Sequence, residues 1–343
     1  MPEAQRAHGV PGMNEMVIFG LLLLLALTFD FLNGFHDAAN VVATMIASRA
    51  LSPRAALGLA AAANLAGPFL FGVAVATTVG SEVVEPVSVT ITVVMAALLS
   101  ASIWNVVTWW GGIPSSSSHA LAGGLVGGAL AFGGPEMLKL EGLIKVALAL
   151  FISPILGFLI GWILMRVTLA LARDASPKIN QTFNRMQLVT ATALALAHGT
   201  NDAQKTMGII TLGLVTLGFQ SEFHVPTWVI LASAVAIGTG TAAGGWRIIR
   251  TLGGKFYRIR PIHSFVSQLA SATVILGASL LGGPVSTTHV VSSAIVGVGA
   301  SERMSQVRWT NLTDILIAWL ITVPITTIIA AVLYVLLRLV LGP

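Results

Sequence analysis

Gly34-Phe35-His36-Asp37-Ala38-Ala39-Asn40 stands in the middle of an apolar stretch, and Gly199-Thr200-Asn201-Asp202-Ala203-Gln204-Lys205 repeats it in another. A second pair follows each motif at nearly the same distance: Pro114-Ser115-Ser116-Ser117-Ser118-His119 and Pro284-Val285-Ser286-Thr287-Thr288-His289. Asp37 and Asp202 are 165 positions apart, and His119 and His289 are 170 apart. The chain therefore reads as a duplicated unit in which both copies carry the same two polar clusters. An ionisable group inside a bilayer is costly and marks function. Two such groups at matched places in two halves point to a site between repeats.

The surroundings are those of a membrane. Of 343 residues 55% are hydrophobic and 9% charged, against about 25% charged in a soluble domain, and the mean hydropathy is +0.89. The net charge of +5 sits in a few short loops and does not indicate nucleic acid. No cysteine is present, which excludes disulfides, thiolate metal sites and a cysteine nucleophile. The apolar run from Met16 to Leu27 lacks a strongly basic flank and runs into the first Asp motif, so it reads as a retained span and not a signal peptide.

About 20 apolar residues cross a bilayer as a helix. That length predicts spans over 16–47, 55–79, 88–110, 119–132 and 143–171, then over 188–219, 227–246, 265–281, 289–300 and 315–340. Five crossings per copy invert the second copy relative to the first. Charge agrees. With the N-terminus outside, 13 of the 18 Lys and Arg fall in cytoplasmic loops, among them Arg166, Arg247, Lys255, Arg260 and Arg308. Only Arg6, Lys139, Lys145 and Arg338 fall outside, and Lys205 lies in the membrane. Outer loops carry Glu82, Glu85, Glu136, Glu141 and Glu222. The expected architecture is an all-α polytopic membrane protein of two inverted-topology repeats with broken helices or re-entrant segments meeting at mid-membrane. Repeat one covers 1–172, a cytoplasmic linker 173–187 and repeat two 188–343, with both termini outside.

The stretches 16–47 and 188–219 are too long for one straight crossing at 1.5 Å per residue, and each holds its Asp motif near the middle. A helix break is therefore expected at each motif. Sodium takes carboxylate, amide and freed backbone oxygens. Asp37, Asn40, Asn201, Asp202 and Gln204 supply those groups, with Asp37 and Asp202 as sodium ligands; capping of a new helix by the Asp is the bland alternative. Ser116, Ser117 and Ser118, and Ser286, Thr287 and Thr288, each follow a proline and precede a helical stretch. Hydroxyls beside the free N–H groups of a helix start suit a tetrahedral oxyanion, with Asp37 and Asp202 alongside. His119, His289 and Lys205 are supporting candidates, as caps, donors or charge partners. His36 and His198 flank the Asp motifs. Asp30 has no acidic counterpart in the second copy, where Ala195 stands. Gly123, Gly124, Gly127 and Gly128 read as helix packing.

The two Gly-to-Asn/Lys motifs and the paired Pro-Ser/Thr-His stretches resemble those of the inorganic phosphate transporter (PiT) family, which includes bacterial phosphate permeases and animal sodium–phosphate symporters. The likeness covers roughly residues 16–340. His36 departs from it, since many members have Asn there. The resemblance implies a phosphate site at the repeat interface, coupled to sodium or protons, an inverted-repeat helical fold and a homodimer in the plasma or inner membrane. Sulfate permeases are also reported in the family. The expected function is secondary import of inorganic phosphate by cation symport, sodium before protons, with no enzyme activity, and with sodium as co-substrate in place of any cofactor. Carriage of sulfate or another oxyanion is the alternative. A hydrolase using Ser118, His119 and Asp37 fits poorly, because a nucleophilic set is asymmetric whereas both halves carry similar groups. An anion channel fits poorly because two buried carboxylates repel an anion unless cations accompany it. No nucleotide-binding glycine loop is present.

Overall fold

The computed structural model describes residues 13–83, 90–254 and 257–341. Arg6, Glu85 and Lys255, counted above in the charge distribution, lie outside the described residues, as do the extreme termini. Among the described residues the fold is helical throughout, in twelve α-helices: α1 Met13–Ala47, α2 Pro53–Ala66, α3 Ala74–Thr77, α4 Ile91–Gly111, α5 Ser117–Gly133, α6 Leu140–Leu171, α7 Ile179–Thr216, α8 Thr227–Ala243, α9 Trp246–Gly254, α10 Pro261–Leu280, α11 Thr287–Glu302 and α12 Trp309–Leu341. Five are long and apolar enough to cross a membrane alone, and seven spans result if each bent pair counts as one.

Local chemistry accounts for several boundaries. Ser52 accepts from the Ala55 N–H ahead of Pro53, which opens α2. Ser116 and Ser286 do the same for α5 and α11 by accepting from the His119 and His289 N–H groups. Gly112, at φ 64°, takes the left-handed position that ends α4.

The expected breaks at the Asp motifs are absent. α1 and α7 run through Asp37 and Asp202 without interruption, over 35 and 38 residues. At 1.5 Å per residue each exceeds 50 Å, more than the roughly 30 Å of a bilayer core. A helix of that length fits by tilting or by extending past the membrane, and needs no break. The linker expected over 173–187 is helical from Ile179 onward. The sharp bends lie elsewhere, in stretches read above as single spans. The pair at 53–69 and 74–82 bends by 72°, and the pair at 227–243 and 246–253 by 70°.

The helices pack in matched sets. α5 lies on α12 and α4, while α11 lies on α6 and α10. α1 packs on α8 and α4, while α7 packs on α2 and α10. Each half thus presents its short fifth helix to the last helix of the other half, and the two interlock. Close approach depends on missing side chains: a β-carbon at Gly127 of α5 would overlap the Thr327 carbonyl of α12, and one at Gly297 of α11 the Phe158 carbonyl of α6. α5 and α11, with 17 and 16 residues, extend only about 25 Å and begin inside the protein, at the hydroxyl runs. The outer faces of α6 and α12 expose Leu148, Ile163, Ile317 and Ile328, as lipid-facing helices do.

Candidate functional site

The starts of α5 and α11 meet the middles of α1 and α7, and polar residues of both motifs are drawn into one buried centre. Asp37 and Asp202 are 3% and 1% exposed. The Thr287 hydroxyl lies between them, 3.2 Å from Asp37 Oδ2 and 3.1 Å from Asp202 Oδ2. One hydroxyl proton serves only one carboxylate at a time. Asp37, Asp202 and His198 each bring a ligand atom within 4.8 Å of the others. Two negative charges at that separation repel by roughly 3 kcal/mol at an effective dielectric near 20, which favours positive charge between them.

The chain supplies part of that charge itself. Lys205 pairs with Asp202, one helical turn away on α7. Its ammonium also donates to Ser118 Oγ at 2.6 Å and to the Val285 carbonyl at 3.0 Å, so it joins both hydroxyl-run loops to α7. Val285 O, which also accepts from Ser118, is the freed backbone carbonyl of the centre. It comes from the loop before α11 and not from a broken α1 or α7.

Asp37 has different neighbours. His36 Nδ1 is 2.7 Å from its Oδ1, and the Thr288 hydroxyl is 3.3 Å from the same oxygen. Asn40 Nδ2 donates to Thr288 at 2.9 Å, and its Oδ1 is buried without a partner. On the other face of His36, Nε2 lies 3.3 Å from Thr108 Oγ1, which accepts from Ser115. Near Asp202, His198 Nε2 stands 3.1 Å from Oδ2, a separation that lacks hydrogen-bond alignment, and His198 Nδ1 is 3.1 Å from Asn64 Oδ1.

Of the residues predicted from sequence, Asp37, Asp202, Ser118, Thr287, Thr288, Asn40 and Lys205 are brought together. Ser117 is buried beside them with an unpartnered hydroxyl. Ser116 and Ser286 are the N-caps, and their oxygens serve the His119 and His289 N–H groups. Asn201 turns its amide to Ser279 and the Gly283 carbonyl and keeps a buried, unpartnered Oδ1.

Gln204 is a correction. Its Oε1 accepts from the Val75 and Ala76 N–H groups at 2.8 and 3.3 Å, and its Nε2 donates to the Gly72 carbonyl at 2.8 Å. It satisfies the backbone of the α2–α3 bend and has no oxygen left for a cation. Gln204→Leu is expected to cost at least about 2 kcal/mol of stability by stranding buried backbone groups. Thermal unfolding in detergent measures this, and an unchanged midpoint would show that the bend does not depend on the amide.

His119 and His289 also lie apart from the carboxylates. Their rings are 4.4 Å apart, and His289 stacks on Trp319 at 3.6 Å. They form the floor of an apolar cavity of about 680 Å³ between α5, α6, α11 and α12. Ser118 donates to Val285 and His119 Nδ1 contacts Ser116, so no Ser–His–Asp relay is assembled. Beside Ser118 and Lys205 the free volume is about 30 Å³, room for about one water and far less than an oxyanion needs. The centre is closed in this conformation.

His36 and His198 were legible only as flanking residues. A swap in the motifs marks them: Asn33-x-x-His36-Asp37 in one copy and His198-x-x-Asn201-Asp202 in the other. Each Asp has one imidazole and one carboxamide at the preceding position and one turn back, in opposite order.

The sequence model of the phosphate transporter family matches residues 33–330. A protein of Bacillus subtilis (strain 168) named a probable low-affinity inorganic phosphate transporter is 45% identical over 333 residues, 96% of this chain and the whole of that protein. One of the same name from Rhizobium meliloti (strain 1021) is 45% identical over 327 residues, 94% of this chain and 98% of that one. A solved structure titled the sodium-dependent phosphate transporter superposes with a TM-score of 0.89 at 24% identity, over 95% of this chain and all of that one. That likeness shows the fold.

Proposed function

Because the chain belongs to the phosphate transporter family, a family of multi-pass membrane transporters and not enzymes, we propose that it imports inorganic phosphate by cation symport with sodium as the favoured cation. The observation that carries this is the meeting of Asp37 from one half and Asp202 from the other across the Thr287 hydroxyl. Two carboxylates at one buried point bind cations, and the hydroxyls and helix starts next to them bind an anion. Neither ligand is stable there without the other. A bare anion would face two carboxylates, and extra cations would leave net charge in the membrane interior. That mutual dependence is the physical content of symport. The sodium dependence named for the structural neighbour supports sodium as the cation.

The proposal includes the repeat organisation, with repeat one at 1–172 and repeat two at 188–343 in inverted topology, both termini outside, and a homodimer. The interlocked pairing of α5 with α12 and α11 with α6 supports the repeats. The closed centre supports alternating access, because phosphate reaches the carboxylates only after the halves move. In that movement Lys205 exchanges its contacts with Ser118 and Val285 for the anion.

Uptake of labelled phosphate into proteoliposomes tests the reading, with sodium and pH gradients imposed separately. The expected result is accumulation driven by inward sodium and poorly inhibited by sulfate. Hydrogen phosphate donates a hydrogen bond to a carboxylate, and sulfate cannot. Accumulation under the pH gradient alone would replace sodium with protons, and sulfate competing as well as phosphate would change the substrate. In the same assay the Ser117→Ala/Thr287→Ala variant is expected to weaken apparent phosphate affinity about tenfold or more, since each hydrogen bond to a charged group contributes about 1.5–3 kcal/mol. Unchanged affinity in the folded variant would remove these hydroxyls from the site.

A further inference from the structure

One and two turns before Asp37 on α1, Asn33 and Asp30 are fully buried. Neither oxygen of the Asp30 carboxyl and neither polar atom of the Asn33 amide has a hydrogen-bond partner. Asn105 of α4, 1% exposed, and Thr206 of α7, fully buried, have side chains in the same condition. Buried polar groups are rarely left without partners, so four such residues call for an explanation.

The helix register brings them to one level. Leu22 of α1 and Ile91 of α4 both lie against Gly213 of α7. Farther along, His36 meets Thr108, and Asp37 meets Asp202 through Thr287. α4 therefore runs parallel to α1, and α7 antiparallel. Between those fixed points Asn105 falls level with Asn33, and Thr206 falls between Asn33 and Asp30. The Thr206 hydroxyl does lie beside the Asp30 carboxyl, without hydrogen-bond alignment.

Among the described residues no unpaired positive group faces Asp30. The charged groups facing it are Asp202 and Lys205 of α7, which carry opposite signs and are paired with each other. On α1 itself His36 Nδ1 lies 2.7 Å from Asp37 Oδ1, so both are engaged with each other. α4 and α8, which pack on α1, contain no ionisable residue. A buried carboxylate in that position is stable only with a positive charge bound to it. Two carboxyl oxygens, two amide oxygens and a hydroxyl, from three helices, form the ligand set of a hard cation.

We propose that Asp30, Asn33, Asn105 and Thr206 form a second cation site, one to two helical turns from the Asp37–Asp202 centre toward the N-terminal end of α1, which loads a single positive charge as a sodium ion or a proton. The second copy has Ala195 in place of Asp30, so the site belongs to one half only and gives the transporter an odd cation. The inference rests on the cation-symport reading above.

The test uses purified full-length protein in proteoliposomes with the membrane potential clamped at zero. One arm imposes a sodium gradient without a pH gradient, the other a pH gradient with sodium equal on both sides. Phosphate accumulation scales as the cation gradient raised to the number of coupled cations. With a tenfold gradient, Asp30→Asn, which keeps the volume and removes the charge, is expected to lower the plateau about tenfold in one arm. A fall in the sodium arm identifies sodium as the ligand, and a fall in the pH arm identifies a proton. Thr206→Val leaves Asp30 in place and is expected to raise the half-saturating concentration of that same cation about three- to tenfold. An unchanged plateau in both arms for folded Asp30→Asn overturns the proposal. If Asp30→Asn does not fold, unchanged cation saturation in Thr206→Val overturns it. Wild-type protein that accumulates phosphate in neither arm sinks the symport reading itself, so the two failures are distinguished.

Discussion

Asp37→Asn is expected to lower cation-driven phosphate uptake at least about a hundredfold while leaving the protein folded. The asparagine keeps the shape and can still accept from Thr287 or Thr288 through its one oxygen. It loses the charge, and with it two charge-assisted contacts worth about 1.5–3 kcal/mol each. It also removes one of the two carboxylates that hold a cation at the centre. Stability changes little, because the asparagine keeps an acceptor for Thr287 or Thr288 and His36 stays within reach of Thr108. Initial uptake rates against a sodium gradient, alongside thermal unfolding, check both halves of the expectation. Uptake within threefold of wild type would mean that Asp37 is no part of coupling.

Lys205→Met is expected to have the largest effect on stability. Lys205 and Asp202 are 2% and 1% exposed, and besides its pair with Asp202 the ammonium makes two contacts that bind α7 to the starts of α5 and α11. Removing one partner of a buried pair leaves the other charge uncompensated and costs about 3–5 kcal/mol. Lys205→Met/Asp202→Asn removes both charges and is expected to regain most of the lost stability without regaining transport. The two variants together separate structure from function. If Lys205→Met unfolds at the wild-type temperature, the pair does not form in the protein. If the double variant transports phosphate at the wild-type rate, neither charge takes part in the cycle.

These expectations treat Asp37 and Asp202 as unequal, although their motifs look alike. The equivalent of Lys205 in the first copy is Asn40, which donates to Thr288 and carries no charge. One half therefore brings its own cation to the centre and the other does not. A duplicated site with one internal ammonium is an asymmetric site. Asp30, present in only one half, extends the asymmetry.

The sequence by itself determined the membrane class, the paired motifs, the two carboxylates and the two hydroxyl runs. Each follows from local chemistry: hydropathy over about 20 residues, a motif repeated at a fixed distance, and Ser or Thr after a break at a helix start. The starts of α5 at Ser117 and α11 at Thr287 were legible for that reason. Only the tertiary structure decided what the polar side chains do. An Asp in mid-membrane reads as a sign of a broken helix when its own backbone is the only partner in view. α1 and α7 stay whole because Asp37 and Asp202 find side-chain partners within their own unbroken helices and on α11, in the case of Thr287 from 250 and 85 residues away. Gln204 reads as a ligand until Val75, 129 residues earlier, presents its N–H. The bends at 70–73 and 244–245 were missed because their backbone groups are satisfied or covered by distant elements, the first by Gln204 of α7 and the second by the close approach of Gly245 to the Phe35 carbonyl of α1. His119 and His289 face an apolar cavity because α6 and α12 cross to the opposite half, a packing no local pattern encodes. A hydrogen bond needs a partner within about 3 Å, and in a bundle this interlocked that partner is rarely a neighbour in sequence.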